Sequence, residues 1–415
     1  MAVTQAEIGR RLRAARENYG LTQQEVADAV GIPRTAVVQI EAGNRSVSSL
    51  ELSRFARLCG RAIEEFVSDA PFAEDPLVAL FRSAPGVAED TVLAGELRRC
   101  AELCRQATRL EQLLGLAGRR PLPVAYPLEP PTNRWEAVAQ GRCLAEQERR
   151  RLDLGAAPVW AIAEIIRRQG VRVTEYEMPD NISGLFFHSR ELGLVLVVNR
   201  QHPRTRRLFS YAHEYCHLLV DRGRPGTVSR TEDRQQLMEV RANAFGAHFL
   251  MPEDGMRAFL RSLGKGEATR QEQEIFDGVE EVAAQKRMDA GTQELQLHDV
   301  VFLAHHFGAS YDAALYQLLN LKLLNKDRFE ALKKQREGAR SLARALHLSG
   351  WDETVHWTLT EQILGLALEA YRRSEISESK LYELADETGA SREELRLVLM
   401  EEDLVGSPVD AVFPE

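Results

Sequence analysis

His213-Glu214-Tyr215-Cys216-His217, inside the run from Ser210 to Val220, decides how the rest of this chain is read. Two histidines four apart on a helix project from one face, because four residues is close to one 3.6-residue turn. Their imidazoles can grip one ion together, and Glu214 between them points toward a water on that ion. This is the H-E-x-x-H arrangement used by zinc-dependent peptidases. With 10 histidines in 415 residues, chance gives the pattern in roughly a few per cent of such chains. The motif therefore needs a third ligand and a fitting context.

Working outward, Glu239-Val240-Arg241-Ala242-Asn243-Ala244-Phe245 opens a helix that is expected to run to about Leu250 and stop before Pro252. Glu239 can complete a His₂Glu site whose fourth position is left for water. Asn243 lies four residues beyond Glu239 on the same face, where it could orient a ligand through a hydrogen bond. Bound Zn²⁺ would lower the pKa of its water and polarise a carbonyl. Glu214 would take the water's proton and pass it to the leaving amine.

Residues from about 135 to 252 resemble the ImmA/IrrE family of metallopeptidases. The resemblance rests on Ile182-Ser183-Gly184, a strand ending at Asn199, Arg206-Arg207-Leu208-Phe209-Ser210-Tyr211-Ala212-His213-Glu214, Glu239-x-x-Ala242-Asn243-x-Phe245 and Leu250-Met251-Pro252. It implies that His213, His217 and Glu239 bind zinc and that Glu214 is the catalytic acid/base. It also implies a substrate: a partner transcriptional repressor, often encoded alongside, whose cleavage switches on stress, defence or mobile-element genes. Tyr215-Cys216 departs from the family, which more often has Leu and a small residue there. Cys216 falls near the ligand face, and plain packing is favoured over contact with the metal. His248 sits nine residues after Glu239, on roughly the opposite face, and is not expected to be a ligand. The group that would stabilise the transition state is unassigned; Tyr211 is a weak candidate.

Residues 4–68 read as five short helices. Thr22-Gln23-Gln24-Glu25 is a capping box opening the second. Gly31-Ile32 makes a tight turn, and Pro33 stands where a helix start tolerates it. A third helix, Arg34 to Ala42, ends at Gly43. A capped helix, a glycine turn and a second short helix form a helix-turn-helix unit. The stretch resembles the Cro/repressor (XRE) family in Leu21-Thr22-Gln23-Gln24-Glu25-Val26-Ala27 and in Val37-Val38-Gln39-Ile40-Glu41-Ala42-Gly43, and fusion of the two modules recurs in the ImmA/IrrE family. By that resemblance Arg34, Thr35, Ala36 and Gln39 lie on or near base edges of double-stranded operator DNA, and Gln23, Asn44 and Arg45 hold phosphates. Two features depart from the pattern. Pro33 replaces the usual Ser or Thr cap, and residues 1–70 carry nine Arg against nine Asp and Glu. Electrostatic neutrality implies modest, salt-sensitive affinity that needs a homodimer.

The expected fold class is α+β, mostly α, in four parts: a DNA-binding domain over 1–70, a helical spacer and Pro-rich linker over 71–133, a small zincin-like metallopeptidase domain over 134–260, and a helical regulatory or dimerising region over 261–415. The spacer carries the apolar set Leu77, Leu80, Leu93, Leu97, Leu103, Leu110, Leu113 and Leu114, and prolines crowd 118–133. Residues 262–297, rich in Glu, Gln, Lys and Gly, read as an exposed insertion, helical or mobile. Ser377 and Ser391 are placed as helix caps. Net charge is −9, which argues against a coat of nucleic acid. The five scattered cysteines fit reduced thiols. No apolar run approaches a membrane span and Met1 to Arg13 lacks a signal-peptide core, so a cytoplasmic protein without a membrane partner is expected. Single-stranded or damaged DNA is a candidate trigger. The rival reading is a non-proteolytic helix-turn-helix regulator with a zinc- or ligand-sensing domain.

Overall fold

The computed structural model of the chain describes residues 3–18, 21–59, 63–68, 77, 80, 87, 90–116, 121–189, 191–222, 226–230, 233, 235–265, 270–276, 281–287, 293–348, 359–397 and 399. It divides into two compact units, one formed by 1–119, 187–193 and 359–415, the other by 120–186 and 194–358. Helices dominate, and a small mixed sheet lies in the second unit. The expected α+β, mostly α class is what the chain adopts.

The first unit begins with α1 (Gln5–Asn18), α2 (Gln23–Val30), α3 (Arg34–Glu41), α4 (Ser49–Leu58) and α5 (Ile63–Val67). Thr22 accepts from the Glu25 amide while the Glu25 side chain accepts from the Thr22 amide, the reciprocal capping box that starts α2. Gly31 closes α2 in the left-handed region at φ 78°, a conformation glycine adopts without a Cβ penalty. Leu12, Val26, Val30, Val37, Ile40, Phe55 and Phe66 are buried together as its core. Gly9 lets α1 lie directly on α3, since a Cβ there would stand 2.3 Å from the Ile40 carbonyl oxygen.

Further along, α6 (Thr91–Leu113) is capped by Asp90, whose carboxylate accepts from the Val92 and Leu93 amides. Leu93, Leu97, Cys100, Cys104 and Leu110 are buried; Leu113 is exposed, at the end of the stripe. The partners of α6 come from far along the chain. It packs on α16 (Leu359–Arg372), which in turn packs on α17 (Glu378–Thr388), and Arg99 donates to the Glu387 carbonyl at 2.9 Å. Ser377 caps α17 by accepting from the Lys380 amide.

The second unit is built around three helices. α7 (Arg134–Arg151) lies along α10 (Leu237–Leu250), and α10 lies along α9 (Arg204–Val220). Being covered on two sides, α10 is apolar nearly all round, as a helix sunk in a core must be. Gly141 sets the spacing: a Cβ there would meet the Arg241 carbonyl oxygen at 2.4 Å. α8 (Ile162–Arg168) leads into a four-stranded sheet of β1 (Arg172–Tyr176), β2 (Ile182–Ser189), β3 (Gly193–Asn199) and β4 (Gly226–Arg230), in the order β1-β3-β2-β4. β1 and β3 run parallel, from Arg172 opposite Val195 to Tyr176 opposite Asn199. β3 is central and buried along almost its whole length, which explains its continuous apolar run. α11 (Glu253–Ser262), α12 (Leu297–His306), α13 (Tyr311–Asn320), α14 (Lys326–Lys334) and α15 (Arg336–Ala345) complete the unit.

Two expectations change. Residues 270–276 and 281–287 form an antiparallel ribbon, β5 with β6, instead of helix or loose chain; their polar sequence carries no period-2 apolar signal that would betray strands. Part of the Pro-rich stretch is not a free linker. The Tyr126 amide donates to the Leu219 carbonyl at 2.9 Å, Arg222 donates to the Pro123 carbonyl at 2.8 Å, and Pro123 is buried. Proline removes donors but leaves its carbonyl available to accept, so a run without periodicity can still be anchored.

Candidate metal centre and nucleic-acid interface

His213 and His217 lie one turn apart on α9, and Glu239 lies in the first turn of α10. The α9–α10 packing brings the three together. His213 Nε2 is 3.1 Å from Glu239 Oε2 and 3.2 Å from His217 Nε2, and His217 Nε2 is 3.3 Å from Glu239 Oε1. Donors about 2.0–2.1 Å from a tetrahedral ion stand about 3.3 Å apart, so the three gaps fit one ion. Among the described residues this is the one group of three or more His, Cys, Asp or Glu side chains close enough to share a metal.

The far side of each imidazole is also occupied. His217 Nδ1 meets Asp221 Oδ2 at 2.8 Å, and His213 Nδ1 meets Asn243 Oδ1 at 3.0 Å. A carboxylate can only accept, so His217 carries a proton on Nδ1, which leaves Nε2 as the atom that faces the cluster. Asp221 is itself held by the buried Arg241, whose guanidinium donates to Oδ1 at 2.6 Å. Two imidazole nitrogens and a carboxylate turned toward one point favour a positive charge there, whether a proton or a metal ion. The protonation equilibria carry the same message. Burial pulls the His217 imidazolium down, but the Asp221 and Glu239 carboxylates outweigh it and raise its pKa to about 10. Burial pushes Glu239 up, yet both histidines hold it well below the usual carboxylate range.

Glu214 is fully buried beside this cluster, and among the described residues neither carboxylate oxygen has a partner in full hydrogen-bond geometry, the Ser229 hydroxyl being its polar neighbour. Burial raises its pKa, while the two histidines and the Ser229 hydroxyl oppose the rise. An unpartnered buried carboxylate costs several kcal/mol, so this side chain is kept for something other than packing. Gly184 on β2 makes the room: a Cβ there would stand 2.8 Å from Glu214 Cγ and 2.9 Å from the Val197 carbonyl oxygen. The cluster opens into a cleft of about 520 Å³ lined by His213, Glu239 and Asn243 together with Ser183, Arg206 and Asp312.

Other candidates move away from the centre. Tyr211 is buried and its hydroxyl donates to Glu175 Oε1 on β1 at 2.7 Å, so it does not line the cleft. Cys216 is buried in the core, where burial pushes its thiol well above the usual range. It is packing. His248 meets the Gln317 amide at 3.3 Å and lies outside the cluster. Sequence reasoning missed Asp221 and Arg241. The signal was present: Asp221 follows His217 by four residues at the end of α9.

In the first unit, Arg34, Thr35 and Gln39 are exposed on α3 and Ala36 is half-buried. Asn44 and Arg45 follow in the exposed turn. The Gln23 amide nitrogen is held by Glu41 at 3.0 Å, a buried carboxylate that also takes two bonds from Arg16. Arg45 pairs with Glu51 at 2.7 Å; an exposed pair of this kind is worth only about 0–1 kcal/mol, so a phosphate can compete for it. Pro33 caps α3 with no side-chain hydrogen bond. Among the described residues no helix is long and apolar enough to cross a membrane.

Two family profiles match the chain: the IrrE N-terminal-like domain over residues 166–319 and the helix-turn-helix over residues 12–66. A protein of Methanothermobacter thermautotrophicus, named as an uncharacterized HTH-type transcriptional regulator, is 40% identical over 50 residues, which is 12% of this chain and 72% of that protein. The first match contains the His213, His217 and Glu239 cluster, and the second contains α2 and α3. The chain thus carries an XRE-type helix-turn-helix domain at the N-terminus and, after it, an IrrE N-terminal-like domain of the ImmA/IrrE type.

Proposed function

We propose that this chain is a zinc endopeptidase that cleaves an XRE-type transcriptional repressor and so derepresses stress, defence or mobile-element genes, working in the cytoplasm as a homodimer. The observation that carries the reading is Glu214, buried and, among the described residues, without a partner in full hydrogen-bond geometry, beside two histidines and a carboxylate spaced for one ion. A structural metal site needs no such base. His213, His217 and Glu239 would hold Zn²⁺, which when bound supplies Lewis acidity toward a peptide carbonyl and a more acidic water. Glu214 takes a proton at its carboxylate and returns it to the departing amine nitrogen, the usual double duty of a general base in amide hydrolysis. Burial helps it, because a carboxylate with a raised pKa is a stronger proton acceptor. Asn243 and Asp221 keep the two imidazoles oriented.

In this assignment residues 1–70 bind the operator, with Arg34, Thr35, Ala36 and Gln39 toward base edges and Gln23, Asn44 and Arg45 toward phosphates. Residues 71–133 connect, 134–260 cut, and 261–415 regulate or dimerise, with single-stranded or damaged DNA as trigger. The test is incubation of the full-length protein, zinc and the XRE-type repressor encoded beside it, with and without single-stranded DNA. The wild type is expected to cleave, and Glu214→Gln to lose about 10²–10⁴-fold in rate while still binding zinc. Cleavage that survives in Glu214→Gln removes the mechanism; no cleavage by either protein under any condition favours a regulator that cuts nothing.

A further inference from the structure

A second cleft of about 300 Å³ opens in the same unit, between α12, the start of α13 and α15. Thr205, Ala309, Ser310 and Asp312 line both this space and the metal cleft. The two clefts therefore adjoin. An extended polypeptide advances about 3.3 Å per residue and sends side chains alternately to either face. An extended segment laid across the metal cluster toward these shared residues would offer alternate side chains to the second cleft.

The chemistry of that side chain follows from the walls. Val301, Ala304, Ala339, Ala343 and Leu348 supply an apolar floor in which the alanines leave room. The charges at the rim are already paired: Arg336 with Asp312 at 3.0 Å, and Arg340 with Glu337 at 2.9 Å. An acidic or basic side chain entering here must compete with these partners and leave its own water behind. A large apolar side chain gains the floor.

We propose that this second cleft is a substrate subsite that takes one bulky apolar side chain, of the Leu, Met or Phe class, from the polypeptide being cut, a few residues from the bond held over the metal cluster. The assignment rests on the peptidase reading above. It makes selection depend on an extended stretch of substrate and not only on the residues flanking the scissile bond.

The probe is a mixed peptide pool made by digesting an unrelated proteome. It is incubated with zinc-loaded full-length protein, and the cleaved sequences are read by mass spectrometry. The wild type is expected to enrich bulky apolar residues about tenfold at one position within five residues of the cut, since pocket contacts of this size discriminate by about 10–200-fold. Ala343→Trp, at a half-buried site, fills the cleft and should replace that preference with Gly, Ala or Ser at the same position. Leu348→Ala enlarges it and should admit Trp. Zinc content and circular dichroism confirm that each variant is folded, and the opposite directions of the two changes keep a single misfolded variant from deciding. Cleavage with one unchanged profile in all three proteins overturns the subsite and leaves the peptidase standing. If zinc-loaded wild type cuts the repressor encoded beside it but no sequence in the pool, the subsite is overturned and the peptidase stands; if it cuts neither, the peptidase reading fails and the subsite fails with it.

Discussion

Asp221→Asn separates metal positioning from folding. In the native chain one carboxylate serves two neighbours: Oδ1 accepts from Arg241 at 2.6 Å and Oδ2 accepts from His217 Nδ1 at 2.8 Å. Asparagine keeps the shape and can keep the Arg241 bond through its carbonyl oxygen. Its amide nitrogen then faces His217 Nδ1, donor against donor. The imidazole escapes by moving its proton to Nε2, where the lone pair for the metal should be. Loss of an outer partner of this kind costs about 10–100-fold in metal affinity, which is about 1.4–2.7 kcal/mol. Asp221→Ala should lose more, because it also strips the carboxylate from a buried guanidinium, a break worth about 3–5 kcal/mol of stability. Zinc affinity measured by competition with a chromophoric chelator, beside urea unfolding of the metal-free protein, distinguishes the two effects. The reasoning is refuted if Asp221→Asn binds zinc within threefold of wild type, or if its affinity loss is matched by an equal loss of stability.

Three further outcomes are expected. Gly184→Ala pushes a methyl group against Glu214 Cγ and the Val197 carbonyl, so hydrolysis of a cleaved substrate should drop at least tenfold while zinc affinity, measured with the same chelator, holds; unchanged hydrolysis would show that Glu214 has freedom this packing denies it. His248 is held to a pKa of about 4 by burial, with Arg142 adding to the effect. The unfolded chain binds its proton near 6.5, so stability is full above that pH and falls as pH drops from about 6.5 to about 4, by at most about 3 kcal/mol; His248→Gln should flatten the urea-unfolding profile over that window, and an identical slope would sink the assignment. Gln39→Ala should weaken binding to one operator by about 1–3 kcal/mol in a fluorescence anisotropy titration while leaving random duplex little changed; equal losses on both would make Gln39 a phosphate contact or scaffold.

Features written in local spacing were legible in the sequence. The capping box of Thr22 and Glu25 involves residues three apart, and the His213–His217 pair needs only the period of a helix. Glu239 could be named because a second helix with a first-turn carboxylate is the complement a His pair lacks, and the resemblance carried by Ala242, Asn243 and Phe245 pointed to the same residue. Contacts made through the backbone were not legible. The anchoring of Tyr126 on Leu219 uses an amide and a carbonyl that every residue possesses, so composition suggested only a linker. The β5–β6 ribbon hid in a polar sequence. Asp221 was overlooked for a different reason: it sits where a helix ends, and its pairing with Arg241 depends on how α9 and α10 cross.

The packing of α6 on α16 also sets a timetable. The two helices are neighbours in space, but 245 residues lie between Leu113 and Leu359. At about 5–20 residues per second of synthesis, the apolar stripe of α6 waits roughly 12–50 s for its cover. Everything from α7 to α15 is made in that interval, including the two helices that carry His213, His217 and Glu239. A ribosome stalled just short of α16 holds a chain with α7 to α15 already made and the leucines of α6 bare, a nascent species with its own appetite for chaperones.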